Sequence, residues 1–141
     1  MKRRIVIDTN VFISALRSRR GASYRLLMLL DRGDIEINIS VPLIVEYEDA
    51  AKRIAREFGL THADIDDILD YICSIAHRRK IHFLWRPFLK DPQDDHVLEL
   101  AVESGCKIIV SHNVRDFSGA EQIGIRVVTP KEFLKGIGGL P

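Results

Sequence analysis

Apolar positions along the chain follow two alternating rhythms. Residues 4–7 form a short β-branched run that stops abruptly at Asp8-Thr9-Asn10, the pattern of a buried strand handing over to a helix start or loop. Helical spacing follows over 11–16 and again over 22–30, with Arg17 to Gly21 as a basic, glycine-terminated break between them. Residues 35–39 alternate with period two and lead through Ser40 and Val41 to Pro42, which predicts a strand and then a helix carrying proline in its first turn. That helix runs from 42 to 58, with apolar Leu43, Ile44, Tyr47, Ala51, Ile54 and Phe58, and Gly59 as its stop. Thr61-His62-Ala63-Asp64 forms a capping box with aspartate in the usual glutamate place, opening a helix through Ile65, Ile68, Leu69, Ile72 and Ile75.

The second half repeats the alternation. Residues 81–84 predict a short strand, and Pro87 and Pro92 bracket a loop ending in Asp91-Pro92-Gln93-Asp94-Asp95. A helix is expected from about 94 to 104, stopped by Gly105. Residues 107–111 read as a second fully buried strand whose end presents His112, Asn113 and Asp116, and 126–129 as a last strand, with Pro130 opening a short helix through Phe133 and Leu134. Strands alternating with helices predict a three-layer α/β/α sandwich around a central parallel sheet. Phe12, Phe58, Phe83, Phe88, Phe117 and Phe133 fall mostly on apolar patterns and read as core or interface.

Composition narrows the class. With 141 residues, 46% of them hydrophobic and 29% charged, the chain is expected to form one domain over residues 1–141. The net charge of +1 does not advertise nucleic-acid binding, but both signs are clustered locally. Lys2, Arg3 and Arg4 run directly into a short apolar segment with no cleavage-type site, and no apolar run approaches the roughly 18 residues a membrane span needs. A soluble, cytoplasmic protein is the expectation. Cys73 and Cys106, far apart and inside apolar patterns, read as buried thiols.

Ligand sites of open parallel sheets form beyond the carboxyl ends of the strands, and there the chain is acidic. Asp8 follows the first strand, Glu46 sits early in the helix after the second, Asp94 opens the helix after the proline loop, and Asp116 follows the strand at 107–111. Carboxylates gathered in one pocket raise one another's pKa unless a cation balances them. All-oxygen ligands favour Mg²⁺ or Mn²⁺, ions suited to phosphodiester hydrolysis.

These segments resemble the ordered motifs of PIN-domain proteins, in particular the VapC-like toxin branch. They are Ile5-Val6-Ile7-Asp8-Thr9-Asn10-Val11, the helix-borne Glu46, Asp91-Pro92-Gln93-Asp94-Asp95 with Leu98 and Ala101, and Val110-Ser111-His112-Asn113-Val114-Arg115-Asp116-Phe117. The resemblance implies a sheet sandwiched by helices, an acidic Mg²⁺ or Mn²⁺ site, and endonucleolytic cleavage of RNA. It also implies a homodimer held in check by a small antitoxin. Asp8, Glu46 and Asp94 match the three most characteristic acids, and Asn10 would orient Asp8 or a metal-bound water. The fourth acid is open between Asn113, where many PIN domains carry aspartate, and Asp116; Asp95 competes with Asp94, and Ser111 is a supporting residue.

Plainer readings stand beside these. Asp8 and Asp94 are good helix caps, Glu46 complements a helix dipole, and Asp116 suits a turn. His112 reads as a rim residue, whereas His62, His77, His82 and His96 have no functional context in the sequence. Arg17, Arg19 and Arg20 are candidate phosphate contacts or a solvated loop. The competing functions are a housekeeping RNA-processing nuclease, a non-catalytic RNA- or protein-binding module, and an aspartyl phosphatase, the last weakened because Asn10 stands where such enzymes need a second acid.

Overall fold

The computed structural model describes residues 3–80, 89 and 94–138. Five parallel strands form one sheet: β1 (Arg3–Ile7), β2 (Ile35–Ile39), β3 (His77–Arg78), β4 (Ile108–Val110) and β5 (Arg126–Val128), in the spatial order β3-β2-β1-β4-β5. Among the described residues six α-helices flank them, the last following β5: α1 (Thr9–Arg17), α2 (Ala22–Leu29), α3 (Val41–Ile54), α4 (His62–Ile75), α5 (Asp95–Glu103) and α6 (Pro130–Gly136). The result is the expected α/β sandwich around a parallel sheet. Helix α5 packs on β1, β2 and β4, while α1 packs against α2 and α3, α2 against α6, and α3 against α4.

Local chemistry explains the element boundaries. Ser40 caps α3 through the Leu43 N–H, with proline in the first turn, and α3 gives way to a 3₁₀ turn (Ala55–Phe58) before Gly59 ends it. The helix expected over 42–58 is therefore two pieces. Thr61 and Asp64 form the reciprocal capping box at the start of α4, and Thr129 and Glu132 form another at α6. At the end of α5 the Gly105 N–H donates to the Val102 carbonyl and the Cys106 N–H to Ala101. With Gly105 at φ +70, this is a left-handed C-terminal stop that turns the chain directly into β4.

The strand expected at 81–84 lies outside the described residues, as do Phe83 and Phe88. The described edge strand is instead β3 at His77–Arg78, which pairs with Asn38 and Ile39. It is two residues long and polar, so it carries no periodicity from which a strand is read. All five residues of β2 are buried, including Glu36 and Asn38. Arg4 at 3.4 Å, His77 at 3.4 Å and Arg79 at 3.6 Å surround the Glu36 carboxylate, and the Arg79 Nε–H donates to Asn38 Oδ1 at 3.0 Å. A polar stripe inside the protein is tolerated because it is paired. Cys106 is buried as expected, Cys73 only partly, and both are free thiols. Phe12, Phe117 and Phe133 are in the core, whereas Phe58 is half-buried beneath the Arg17 guanidinium at 5.7 Å. No helix among the described residues is long and apolar enough to cross a membrane.

Candidate active site

Strand order reverses direction between β1 and β4: from β1 the chain moves to β2 on one side and reaches β4 on the other. The carboxyl ends of two such strands leave a crevice between the connections that diverge from them. Asp8 follows β1 and Ser111 follows β4, and they meet there. The Ser111 hydroxyl donates to Asp8 Oδ2 at 2.8 Å, the Asn10 amide to the same oxygen at 3.2 Å, and the Thr9 N–H to Asp8 Oδ1 at 2.9 Å. Asp8 is thus the N-cap residue of α1 and a cleft residue together. Ser111, wholly buried, also accepts from the Asn113 N–H at 3.0 Å and the Asn10 amide at 3.3 Å, and Asn10 Oδ1 accepts from the His112 N–H at 3.1 Å. One donor and two acceptors exhaust what a hydroxyl offers.

A cleft of about 630 Å³ opens above this lattice, lined by Asp8, Thr9, Asn10, Arg17, Glu46, Asp94, His112, Asn113 and Asp116 among others. All four acids singled out in the sequence line it. Asn113 and Asp116 both face it, so the alternatives for the fourth acid lie side by side. Asp94 lines the cleft and makes no capping hydrogen bond to α5, whereas Asp95 is fully buried and its Oδ1 accepts from the Leu89 N–H at 2.9 Å. The adjacent acids thus face different surroundings, one the cleft and one the Leu89 backbone. Arg17 reaches the cleft, but Arg19 and Arg20 line a separate groove.

Glu46 is held by groups that the sequence did not single out. The Thr9 hydroxyl donates to its Oε1, and His96 Nε2 on α5 approaches Oε2 at 2.7 Å. His112 is tied to α2 through a 3.0 Å hydrogen bond between its Nε2 and the Ser23 hydroxyl. The only sequence signal for His96 is its place two residues after Asp94, on a helix that must pass α3.

The electrostatics push two neighbouring carboxyls in opposite directions. Burial raises the Asp8 pKa above the ordinary aspartate value, held back by the Ser111 and Thr9 hydrogen bonds and raised further by the Glu46 charge. The hydrogen bond from His96 lowers that of Glu46, against the opposing effect of burial and with help from Thr9. A buried carboxyl that resists ionisation beside further acids is the situation a divalent cation relieves, and the donors are carboxylate oxygens. Among the described residues no group of three or more His, Cys, Asp or Glu side chains is arranged so that it could hold a metal ion, so any cation here would be held by fewer protein ligands together with water and substrate oxygens. An open arrangement of carboxylates fits Mg²⁺, which commonly keeps several waters and takes further ligands from substrate phosphate.

A comparison with curated proteins finds no match. The model of the PIN domain matches residues 4–115, a span that runs from β1 through Asp8, Glu46 and Asp94 to the turn after β4. With that span, the chain belongs to the PIN-domain family.

Proposed function

We propose that this chain is a divalent-metal-dependent endoribonuclease and the toxin component of a toxin–antitoxin pair. PIN domains are generally nucleases that use divalent metal ions. The observation that supports the reading is the cleft itself, which Asp8, Glu46, Asp94 and Asp116 line from four separate parts of the chain, with the Asp8 carboxyl buried and pinned. Ser111, Asn10 and the Thr9 N–H fix Asp8 in one rotamer, and Thr9 and His96 fix Glu46, so two carboxylates are oriented before any cation arrives. When bound, Mg²⁺ or Mn²⁺ supplies Lewis acidity at the scissile phosphate and activates water for attack. Arg17 on the cleft wall offers a guanidinium to a phosphate oxygen. RNA as substrate, the small antitoxin and the homodimer rest on the resemblance to the VapC-like branch.

The test is cleavage of a panel of RNAs with Mg²⁺, Mn²⁺ or EDTA, for wild type, Asp8→Asn and Asp94→Asn. Cleavage is expected to need metal. Each variant should lose about 100-fold or more, since several kcal/mol of transition-state stabilisation depend on the ion. Both variants cutting at the wild-type rate would refute the site. For the toxin role, induced wild type should arrest growth, Asp8→Asn should not, and a short neighbouring reading frame should restore growth.

A further inference from the structure

Beside the acidic cleft, where α1 gives way to α2, lies a second groove of about 440 Å³ whose lining includes Arg19, Arg20, Tyr24, Arg25, Met28 and Lys131. None of its lining side chains, among the described residues, is acidic. Its four cationic side chains are all exposed. In a chain of net charge +1, Arg19, Arg20 and Lys131 around one groove are a local concentration of positive field.

The groove and the cleft share a wall. Ser23 in the first turn of α2 is buried and bonds His112 on the cleft side, while its neighbours Ala22 and Tyr24 line the groove. Arg17 lines the cleft and Arg19 the groove. Two residues of chain span at most about 7 Å, so a strand leaving the cleft meets the groove at once. A cluster of carboxylates repels a polyanion, so cations beside the cleft add to the attraction that Arg17 offers on its wall.

We propose that this groove is the track for the RNA strand flanking the cut phosphodiester, with Arg19, Arg20 and Lys131 contacting phosphates and Tyr24 offering a ring face to a base. This rests on the ribonuclease reading above. Cations interleaved with an aromatic suit a single strand, whose exposed bases stack. An acidic protein segment would use the charges but not the ring.

The test is binding of fluorescein-labelled oligouridylate by anisotropy across a salt series, in EDTA to prevent cleavage. It compares wild type, the triple variant R19Q/R20Q/K131Q, and the control R53Q/R56Q on the exposed side of α3 and its following turn. A single strand gives a slope of roughly −0.7 per phosphate neutralised. The triple variant should therefore lose about 2 from the magnitude of the slope and bind about ten-fold or more weakly at low salt, while the control follows wild type. With Mn²⁺ present, KM for long RNA should rise and kcat stay unchanged. An unchanged slope in the triple variant, with a wild type that cleaves RNA, overturns the groove and leaves the nuclease standing. An unchanged RNA slope with lost binding of polyglutamate gives the groove to an acidic protein segment and also overturns it. A wild type that cleaves no RNA with Mn²⁺ fails the underlying reading instead.

Discussion

Glu46 shows how much of this site is decided by the side chains that hold a carboxylate in place. Its two oxygens are taken by the Thr9 hydroxyl and by His96, residues that reach it from α1 and α5. The hydrogen bond from His96 is the foremost cause of its depressed pKa. Groups that orient a metal-binding carboxylate typically govern 10–100-fold of affinity. His96→Ala is therefore expected to weaken Mn²⁺ binding about ten-fold by calorimetry, and His96→Gln, whose amide restores a donor, to recover much of it. Tighter binding in the alanine variant would mean that the imidazole competes with the cation for Glu46. His96 and Glu46 lie 50 residues apart, and no spacing within either segment announces their contact. The helical pattern on α5 places Leu98 and Ala101 inward, but only the packing of α5 against α3 brings His96 to Glu46.

At the scale of elements, α3 does two jobs through consecutive residues. Glu46 points to the cleft, and the next residue, Tyr47, is buried and stacked on Phe12 of α1 with ring centroids 4.8 Å apart and planes at 24°. The Tyr47 hydroxyl donates to the Ile7 carbonyl, which lies beyond the last β1–β2 pair at Ile5↔Ile37 and immediately before Asp8. Burial raises the Tyr47 pKa well above its ordinary value, so the hydroxyl stays a donor. Tyr47→Phe keeps the stack and removes the donor. It should cost about 1–2 kcal/mol in urea unfolding, because a buried acceptor is left unpaired, and should lower activity by loosening the end of β1. Wild-type stability in the variant would show that the carbonyl finds another partner. Most elements were legible because capping chemistry is local: the Thr61–Asp64 box, Pro42 after Ser40, and Gly105 all act within a few residues. Strand β3 was not, since His77 and Arg78 become a strand only by pairing with Asn38 and Ile39. The burial of Glu36 was equally hidden, because its partners Arg4, His77 and Arg79 come from other strands and the segment after β3.

For the whole molecule, strand order is the decisive quantity. The sequence shows acids after apolar runs, but only the β2-β1-β4 arrangement puts the ends of β1 and β4 side by side. Convergence at that crevice carries a cost that the fold should reveal as a linkage between stability, pH and metal. The folded Asp8 pKa lies above its unfolded value, chiefly through burial. The folded state therefore binds this proton more tightly, and the stability it contributes is complete below the unfolded pKa and lost as pH rises through the folded one. Glu46 has the opposite sign: its contribution is present above the unfolded pKa and lost as pH falls through the folded one. Without metal, ionising Asp8 therefore burdens the fold as pH rises, whereas Glu46 supports it. Asp8→Asn removes the burden while keeping size and a carbonyl acceptor, so its Tm should exceed that of wild type in EDTA at neutral pH. The gap should close as the pH falls through the carboxylate range. Mn²⁺ should then raise the Tm of wild type, as any ligand specific for the folded state does, and leave that of Asp8→Asn nearly unchanged. A variant less stable than wild type in EDTA, yet equally stabilised by Mn²⁺, would show that Asp8 serves only to cap α1 and that the cation binds elsewhere.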